Sequence, residues 1–289
     1  MIVFPILGIH GRLGNQMFEL AAVIALAAHR NTVPKIPKDL AQRETHGQKC
    51  LLKNLKLTLE EYDESELNSS LFEYHQPGDN NMVYYPEFWS LPANSKIYGH
   101  FESELYFLPY RDKVLEQFQF PDELEQEAKE YIARLKAQVG EDKEIVALHF
   151  RLGDAHNVRS NLVWYIYYIE TVKERYFKDP KYRFLVFTGG SREQGNSNKD
   201  DIELCKQILP NSESYFFCEL DDTLKEMVLM KNCNHLLMTM RSTFGWWAGY
   251  LNQSSGRKVI CPRRVVGYEY NPDLLWPSCF TQVDLFEKA

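Results

Sequence analysis

The feature that most constrains the fold is an alternation of apolar, β-rich runs with helical patterns, repeated in two series along the 289-residue chain. The first series opens with residues 2–9, followed by an apolar helical pattern over residues 16–30. The second opens with residues 144–151. Its later strand-like runs lie at residues 182–190, 213–217, 235–240 and 258–262, and its helical patterns at 161–177, 201–209, 222–232 and 243–252. Strands that alternate with helices form parallel sheets covered on both faces, so the chain is predicted to be an α/β protein.

A break at residues 139–142 separates the two series and predicts two domains. A chain of 289 residues with 44% hydrophobic residues is long enough to build two cores. Residues 38–95 are polar and irregular, which predicts loops with short elements. We therefore predict two Rossmann-like domains, at residues 1–140 and 141–289, facing each other across a cleft.

Charge and composition exclude several classes of protein. The net charge of −7 argues against a broad nucleic-acid interface, which needs clustered lysine and arginine side chains. No apolar run approaches the roughly 20 residues that span a bilayer, and residues 1–9 lack the basic region of a signal peptide. Taken at face value, the chain is predicted to be cytoplasmic. The six cysteines lack C-x-x-C spacing and are predicted to be buried thiols, and the eight histidines form no metal-ligand pattern.

The first candidate site follows the first predicted strand. Gly8, Gly11 and Gly14 remove Cβ atoms from this stretch, so the chain can bend and a ligand can approach its amides. Their order, G-x-x-G-x-x-G, differs from the G-x-G-x-x-G of dinucleotide-binding enzymes. Arg12 and Asn15 add polar groups to the same loop. On the glycines alone, an ordinary strand-to-helix turn with Arg12 in solvent is an equal alternative.

The second candidate site lies where the strand at residues 144–151 ends. His149 and Arg151 share one face of this strand because side chains alternate with a period of two. An arginine at the end of a core strand is costly unless it meets an anion or leaves the core, and its planar fork suits a phosphate. Asp154 follows closely, so an internal Arg151–Asp154 pair that caps the strand is the alternative.

The third candidate site precedes the helix predicted at residues 243–252. Ser242 or Thr243 is suited to cap this helix, whose N-terminus would present N–H groups to an anion. Phe244 could border a base or a sugar, whereas Trp246 and Trp247 are predicted to belong to the core.

Together the three candidate sites, each at a junction between a strand and the segment that follows it, predict a phosphorylated ligand bound between the two domains. Each lies at the end of a predicted strand and carries an element that binds anions. No Asp-x-Asp sequence emerges from a strand, so arginine and helix N-termini would have to neutralise a diphosphate without a metal ion.

The same residues resemble a known family. Residues 11–27, GRLGNQMFELAAVIALA, resemble the first motif of α-1,2-fucosyltransferases, which protein O-fucosyltransferases share in part. HFRLGD at 149–154 resembles their H-x-R-R-G-D motif, and residues 233–252 resemble their C-x-H-x-I-x-x-x-S-T-F-x-W-W-x-A-x-L block. PDLLWPSCF at 272–280 is similar to the closing segment of the family.

This resemblance implies a GT-B fold and an inverting, metal-independent transfer of L-fucose from GDP-β-L-fucose, with no further cofactor. The acceptor it implies is a glycan hydroxyl, the 2-OH of a terminal galactose. It also implies that Arg151 holds the diphosphate and stabilises the leaving GDP, and that His149 supports the nucleotide. The other positions implied to bind the donor are Ser242, Thr243, Phe244, Arg12, Asn15 and the amides at Gly11 and Gly14. Asp154 is the carboxylate nearest to Arg151 in the sequence, and it is equally a candidate for the general base or for a structural residue.

Departures from the family pattern leave alternatives open. Leu152 stands where the family has a second arginine, and Arg241 stands where many members have asparagine. A different GDP-deoxyhexose, a protein hydroxyl as acceptor, or a non-catalytic nucleotide- or glycan-binding module are the alternatives. Animal-type members usually carry a Golgi anchor, so a trimmed form of such a member would belong in the Golgi lumen.

Overall fold

The computed structural model describes residues 1–78, 83–152, 160–189, 198–210, 214–265 and 270–285. The chain divides into two compact units. Unit 1 comprises Met1–Pro121 and Tyr270–Pro277, and unit 2 comprises Asp122–Glu269 and Ser278–Ala289.

Unit 1 contains short parallel strands and one long buried helix. Strands β1 (Ile2–Val3), β6 (Phe72–His75) and β7 (Ser95–Tyr98) form a parallel sheet with β7 in the centre. Two smaller pairs accompany it: β2 (Lys35–Pro37) with β5 (Glu60–Tyr62), parallel, and β3 (Glu44–Thr45) with β4 (Gln48–Lys49), antiparallel. Helix α1 spans Leu13–His29 and α2 spans Arg111–Gln117. Single 3-10 turns lie at Leu52–Asn54, Glu64–Glu66, Pro86–Ser90, Glu104–Tyr106 and Leu108–Tyr110.

The start of the chain differs from its prediction. Residues 2–9 were expected to form one strand, but only Ile2–Val3 pairs with a neighbour, and residues 4–10 form turns. Leu7 N donates to Phe4 O at 3.0 Å, and Ile9 N donates to Ile6 O at 3.1 Å. Pro5 has no N–H to donate to a sheet, and Gly8 takes a φ of +85°, so this apolar run cannot continue as a strand.

Unit 2 contains a six-stranded sheet in which all strands are parallel. Its strands are β8 (Glu144–His149), β9 (Tyr182–Phe187), β10 (Tyr215–Phe217), β11 (His235–Met238), β12 (Val259–Pro262) and β13 (Thr281–Val283). Their order across the sheet is β10-β9-β8-β11-β12-β13. Counted from β8, this is the 3-2-1-4-5-6 order of a doubly wound Rossmann sheet. The predicted α/β class with parallel sheets is therefore confirmed.

The helices of unit 2 follow the predicted pattern closely. They are α3 (Asp122–Val139), α4 (Leu162–Tyr176), α5 (Asn198–Ile208), α6 (Thr223–Asn232) and α7 (Thr243–Leu251). A last short helix, α8 (Pro272–Leu275), belongs to the segment that returns to unit 1. Trp246 and Trp247 on α7 are fully buried, as predicted, and all cysteines except Cys279 are buried.

The division between the units falls one helix earlier than the predicted boundary at residue 140. Helix α3 belongs to unit 2, where it packs on α6. Lys231 Nζ lies 2.8 Å from Glu125 Oε1, and Asn232 Nδ2 donates to Glu125 Oε2 at 2.8 Å. The glycine at residue 140 therefore ends a helix of unit 2 and does not mark the change of unit.

None of the described helices combines the length and the apolar character needed to cross a membrane.

Candidate functional site

The switch point of the unit 2 sheet brings two of the three predicted junctions together. Strands β8 and β11 are neighbours, with Met238 opposite His149, and the chain leaves them toward opposite edges of the sheet. In open parallel sheets this switch leaves a crevice beyond the carboxyl ends of the strands, where ligands bind. Thr239 joins the two strand ends, because its N and Oγ1 donate to His149 O at 3.2 and 3.1 Å.

His149 is held as a neutral imidazole at this crevice. It is 7% exposed, and its ring lies against the backbone of Gly245, where an added Cβ would be 2.5 Å from His149 Nδ1. The ring centroid of Phe244 is 6.0 Å away. Burial, and then the positive charge of Arg151, lower the pKa of His149 to about 3. Near neutral pH the His149 ring therefore contributes packing and carries no positive charge.

Arg151 follows the end of β8 by two residues and brings a positive side chain to this end of the sheet. Phe150 before it is buried, and its N donates to Phe187 O at 2.9 Å, which extends the sheet to this point. Arg151 itself is half-buried, and its positive charge contributes to the lowered pKa of His149. Asp154 lies outside the described residues, so both its pairing with Arg151 and its role as a base stay predictions.

Helix α7 begins at the same crevice. Ser242 is its N-cap, with φ −150° and ψ 120°, and its Oγ accepts from Gly245 N at 3.4 Å. Thr243 and Phe244, in the first turn, are half-exposed. The amides of a first helical turn have no partner within their helix and carry partial positive charge, which suits them to an anion. The predicted capping role of Ser242 is confirmed.

Replacing Ser242 with alanine should lower the free energy of unfolding by about 0.5–1 kcal/mol, at the low end for an N-cap because its hydrogen bond is long. Asp222, the N-cap of α6, is the matched control, since its Oδ1 accepts from Leu224 N at 2.9 Å and Lys225 N at 3.0 Å. Urea denaturation should show a larger loss for Asp222→Ala than for Ser242→Ala. Equal losses would contradict the weaker cap at Ser242.

The glycine-rich loop of unit 1 is built around its own side chains. Gly11 has a φ of +63°, and a Cβ on it would lie 2.6 Å from Asn15 Cβ. Gln16 Nε2 donates to Gly11 O at 3.0 Å. Arg12 is the N-cap residue of α1, with Gly14 and Asn15 in the first turn. The space above Gly11 thus admits Asn15, whereas the sequence suggested that these glycines admit a ligand.

Gly8 serves internal packing in the same way. It has a φ of +85°, and a Cβ there would lie 3.1–3.2 Å from side-chain atoms of Leu40, Arg43 and Cys50. Arg43 fastens the turn, because its Nη1 donates to Leu7 O at 2.9 Å and also to Pro5 O. The loop that carries Arg12 and Asn15 is therefore fixed by contacts within unit 1.

The profile of glycosyl transferase family 11 matches residues 6–265. The chain belongs to this family. The resemblance to α-1,2-fucosyltransferases inferred from the three motifs is thereby confirmed.

Several proteins of known name are similar to this chain over most of the length of the chain. Mouse galactoside alpha-(1,2)-fucosyltransferase 2 is 27% identical over 262 residues, which cover 83% of this chain and 66% of the mouse protein. An alpha-1,2-colitosyltransferase from Escherichia coli is 27% identical over 281 residues, covering 87% of this chain and 89% of that protein. Among solved structures, the fucosyltransferase NodZ from Bradyrhizobium is 12% identical, with a TM-score of 0.49, over 86% of this chain and 91% of NodZ.

The sequence alone did not indicate a cluster of ionisable side chains beside the glycine-rich loop of unit 1. His10 Nδ1 lies 2.7 Å from Glu19 Oε1, and Glu19 is fully buried on α1. The ring of His100 lies with its centroid 4.5 Å from that of His10. Glu102, also buried, is close enough to affect the pKa values of both His10 and Glu19. Residues 10 and 19 both fall near or within the first motif, but residues 100 and 102 are some ninety positions away, and sequence spacing could not bring them there.

Proposed function

We propose that this family 11 protein is an inverting α-1,2-fucosyltransferase. It moves L-fucose from GDP-β-L-fucose to a hydroxyl of a glycan, the 2-OH of a terminal galactose. The observation that carries the proposal is the meeting of Arg151 and the N-terminus of α7 at the switch point of a doubly wound sheet. The names of the galactoside relatives, which are α-1,2-fucosyltransferases, support the choice of sugar and linkage.

In the proposed reaction, the oxygen of the acceptor hydroxyl attacks the anomeric carbon of fucose. The bond from that carbon to the β-phosphate oxygen breaks, its electron pair leaves with GDP, and the hydroxyl proton passes to a base. Negative charge builds on the diphosphate, where Arg151 and the first amides of α7 stabilise it. His149 stays neutral and packs beside the nucleotide, with Ser242, Thr243 and Phe244 around the donor.

Unit 2 is proposed to bind the donor, and unit 1 to supply the acceptor side. Arg12, Asn15 and the amides at Gly11 and Gly14 would contact the donor sugar-phosphate or the acceptor hydroxyl. In this scheme Arg151 and helix amides do the work that a divalent cation does in other sugar transferases, so chelators should leave the rate unchanged. Asp154 stays a candidate either for the base or for a partner of Arg151.

A second candidate function differs only in the donor. One relative with closely matching length is named a colitosyltransferase, which favours testing a GDP-linked sugar other than fucose. The similarity of the chain to that relative, 27%, equals its similarity to the mouse fucosyltransferase, so identity alone does not rank the two donors.

The protein, offered GDP-fucose and a panel of galactosides, should form a fucosylated product with an α-1,2 linkage. Mass spectrometry would detect the product and NMR would assign the linkage. Parallel reactions with other GDP-sugars rank the donors, and reactions with EDTA test the proposed independence from metal ions. Binding of GDP without turnover of any GDP-sugar would contradict the proposal and favour a binding module. Failure to bind GDP would contradict the proposed donor site.

A further inference from the structure

His10 and Glu19 form a pair with the geometry of a general-base dyad. Glu19 is carried by the second turn of α1 and is fully buried, whereas about a third of the His10 side chain (32%) is exposed. The 2.7 Å contact joins His10 Nδ1 to Glu19 Oε1. Within the described part of the chain, this is the one hydrogen bond of the His10 ring. A buried carboxylate that accepts from Nδ1–H fixes the tautomer, so that Nε2 carries the lone pair.

The surroundings of the pair keep both residues in place. The His10 ring packs beside those of His100, at a centroid distance of 4.5 Å, and Phe4, at 6.2 Å. In the described residues, Glu19 Oε2 is buried and makes no hydrogen bond. The orientation of the carboxylate therefore depends on its bond to His10.

Electrostatics places the titration of this pair near neutral pH. The hydrogen bond from Glu19 is the largest influence on His10 and raises its pKa, with a smaller contribution from Glu102. Burial raises the pKa of Glu19 to about 7. The other ionisable groups facing the pair are His100, beside the His10 ring, and Cys50, near Glu19. Near neutral pH the pair therefore retains one proton, and a rise in pH leaves His10 neutral and Glu19 ionised, which is the form that accepts a proton.

We propose that His10 is the general base of the transfer reaction and that Glu19 is its positioning residue. This inference rests on the proposed function. His10 directly precedes Gly11 and Arg12, in the loop assigned to the acceptor side. As the acceptor oxygen bonds to the anomeric carbon, its proton passes to His10 Nε2, while the electron pair of the breaking bond leaves with GDP. The resulting imidazolium is stabilised by the Glu19 carboxylate at Nδ1, and solvent later removes the proton.

The substitution His10→Gln should lower kcat by about 10²-fold or more, which is the usual contribution of a positioned base. The affinity for GDP, measured by calorimetry, should stay unchanged, because His10 is not among the residues proposed to hold the donor, and Arg151 and the first amides of α7 are in unit 2. Thermal unfolding of His10→Gln reports whether the variant is folded, and His10→Asn provides a second variant. The acid limb of the wild-type pH–rate profile should lie above the ordinary histidine value of about 6.5.

The variant Glu19→Gln should shift this acid limb to lower pH and reduce kcat by about tenfold, because the charge that raises the pKa of His10 is gone. His75→Gln is the matched control: His75 Nε2 lies 2.8 Å from Glu73 Oε1, but this carboxylate is 47% exposed, whereas that of Glu19 is fully buried. It should alter neither kcat nor the limb. Whatever Asp154→Asn does to kcat, its acid limb should stay at the wild-type pH, because the limb belongs to His10 in this proposal.

The two proposals fail in distinguishable ways. A wild-type protein that transfers fucose while folded His10→Gln and His10→Asn retain its kcat would overturn the dyad and leave the proposed function standing. An acid limb that disappears in Asp154→Asn and persists in Glu19→Gln without a shift would overturn it too. A wild-type protein that transfers no sugar would instead refute the proposed function.

Discussion

Replacement of Arg151 by alanine should lower turnover with GDP-fucose by about 10²-fold or more, since fixed charges at a leaving group contribute about 3–4 kcal/mol each in comparable sites. The reason is local. The buried ring of His149 is neutral, so at the end of β8 the positive charge comes from Arg151 and not from the imidazole. Removing the guanidinium takes away this side-chain charge and leaves the developing charge mainly to backbone amides, including those of α7. Initial rates with saturating acceptor, together with GDP affinity by calorimetry, measure both consequences.

Two further variants make this prediction specific. Arg151→Lys should fall between wild type and alanine, because an ammonium keeps the charge but loses the planar fork that binds two phosphate oxygens. Arg183→Ala is the control at the start of β9, where Arg183 Nη1 donates to Pro180 O at 2.7 Å and Tyr182 O at 2.9 Å. Its rate should match that of wild type. If Arg151→Ala is folded and transfers fucose at nearly the normal rate, Arg151 does not stabilise the leaving group.

The parts of the fold that sequence could predict are those with long, uniform patterns. The runs at residues 144–151 and 235–240 have continuous apolar centres, at residues 145–148 and 236–238, as is typical of buried parallel strands. They form the central strands β8 and β11 of the unit 2 sheet. The short last strand β13 escaped notice, because Thr281–Val283 contains a single buried residue, Val283. The run at residues 2–9 predicted the wrong structure, because Pro5 and Gly8 outweigh its apolar composition.

In the candidate site, the features that could be predicted depend on residues close in the sequence, and those that could not be predicted depend on distant residues. Ser242 could be identified as an N-cap, because a cap depends on a few neighbouring residues. The neutral state of His149 could not, since it depends on burial against Gly245, nearly a hundred residues further along the chain. The pair of His10 and Glu19 is nine residues apart, but a turn and part of a helix intervene, and no simple period brings such residues together.

Alanine at position 245 should weaken GDP binding about tenfold or more and also destabilise unit 2. The added Cβ would lie 2.5 Å from His149 Nδ1 and 3.1 Å from Met238 Cε, so the imidazole must leave its place at the end of β8. Overpacking of this kind costs about 1–3 kcal/mol, partly offset by the higher helix propensity of alanine, about 1 kcal/mol. Urea denaturation and GDP titration by calorimetry give the two quantities.

Gly249→Ala separates stability from ligand binding, because the same substitution on the same helix meets only core side chains. Its Cβ would lie 2.7 Å from Val259 Cγ1, and 3.0 Å from both Leu236 Cδ2 and Phe280 Cζ. These side chains are buried in the core of unit 2. The free energy of unfolding should therefore fall as in Gly245→Ala, while the affinity for GDP should stay unchanged. If both variants lose affinity in proportion to their stability, the packing of His149 has no specific role in binding the donor. If only Gly245→Ala loses affinity, a neutral imidazole fixed between a strand end and a helix N-terminus is part of the nucleotide site.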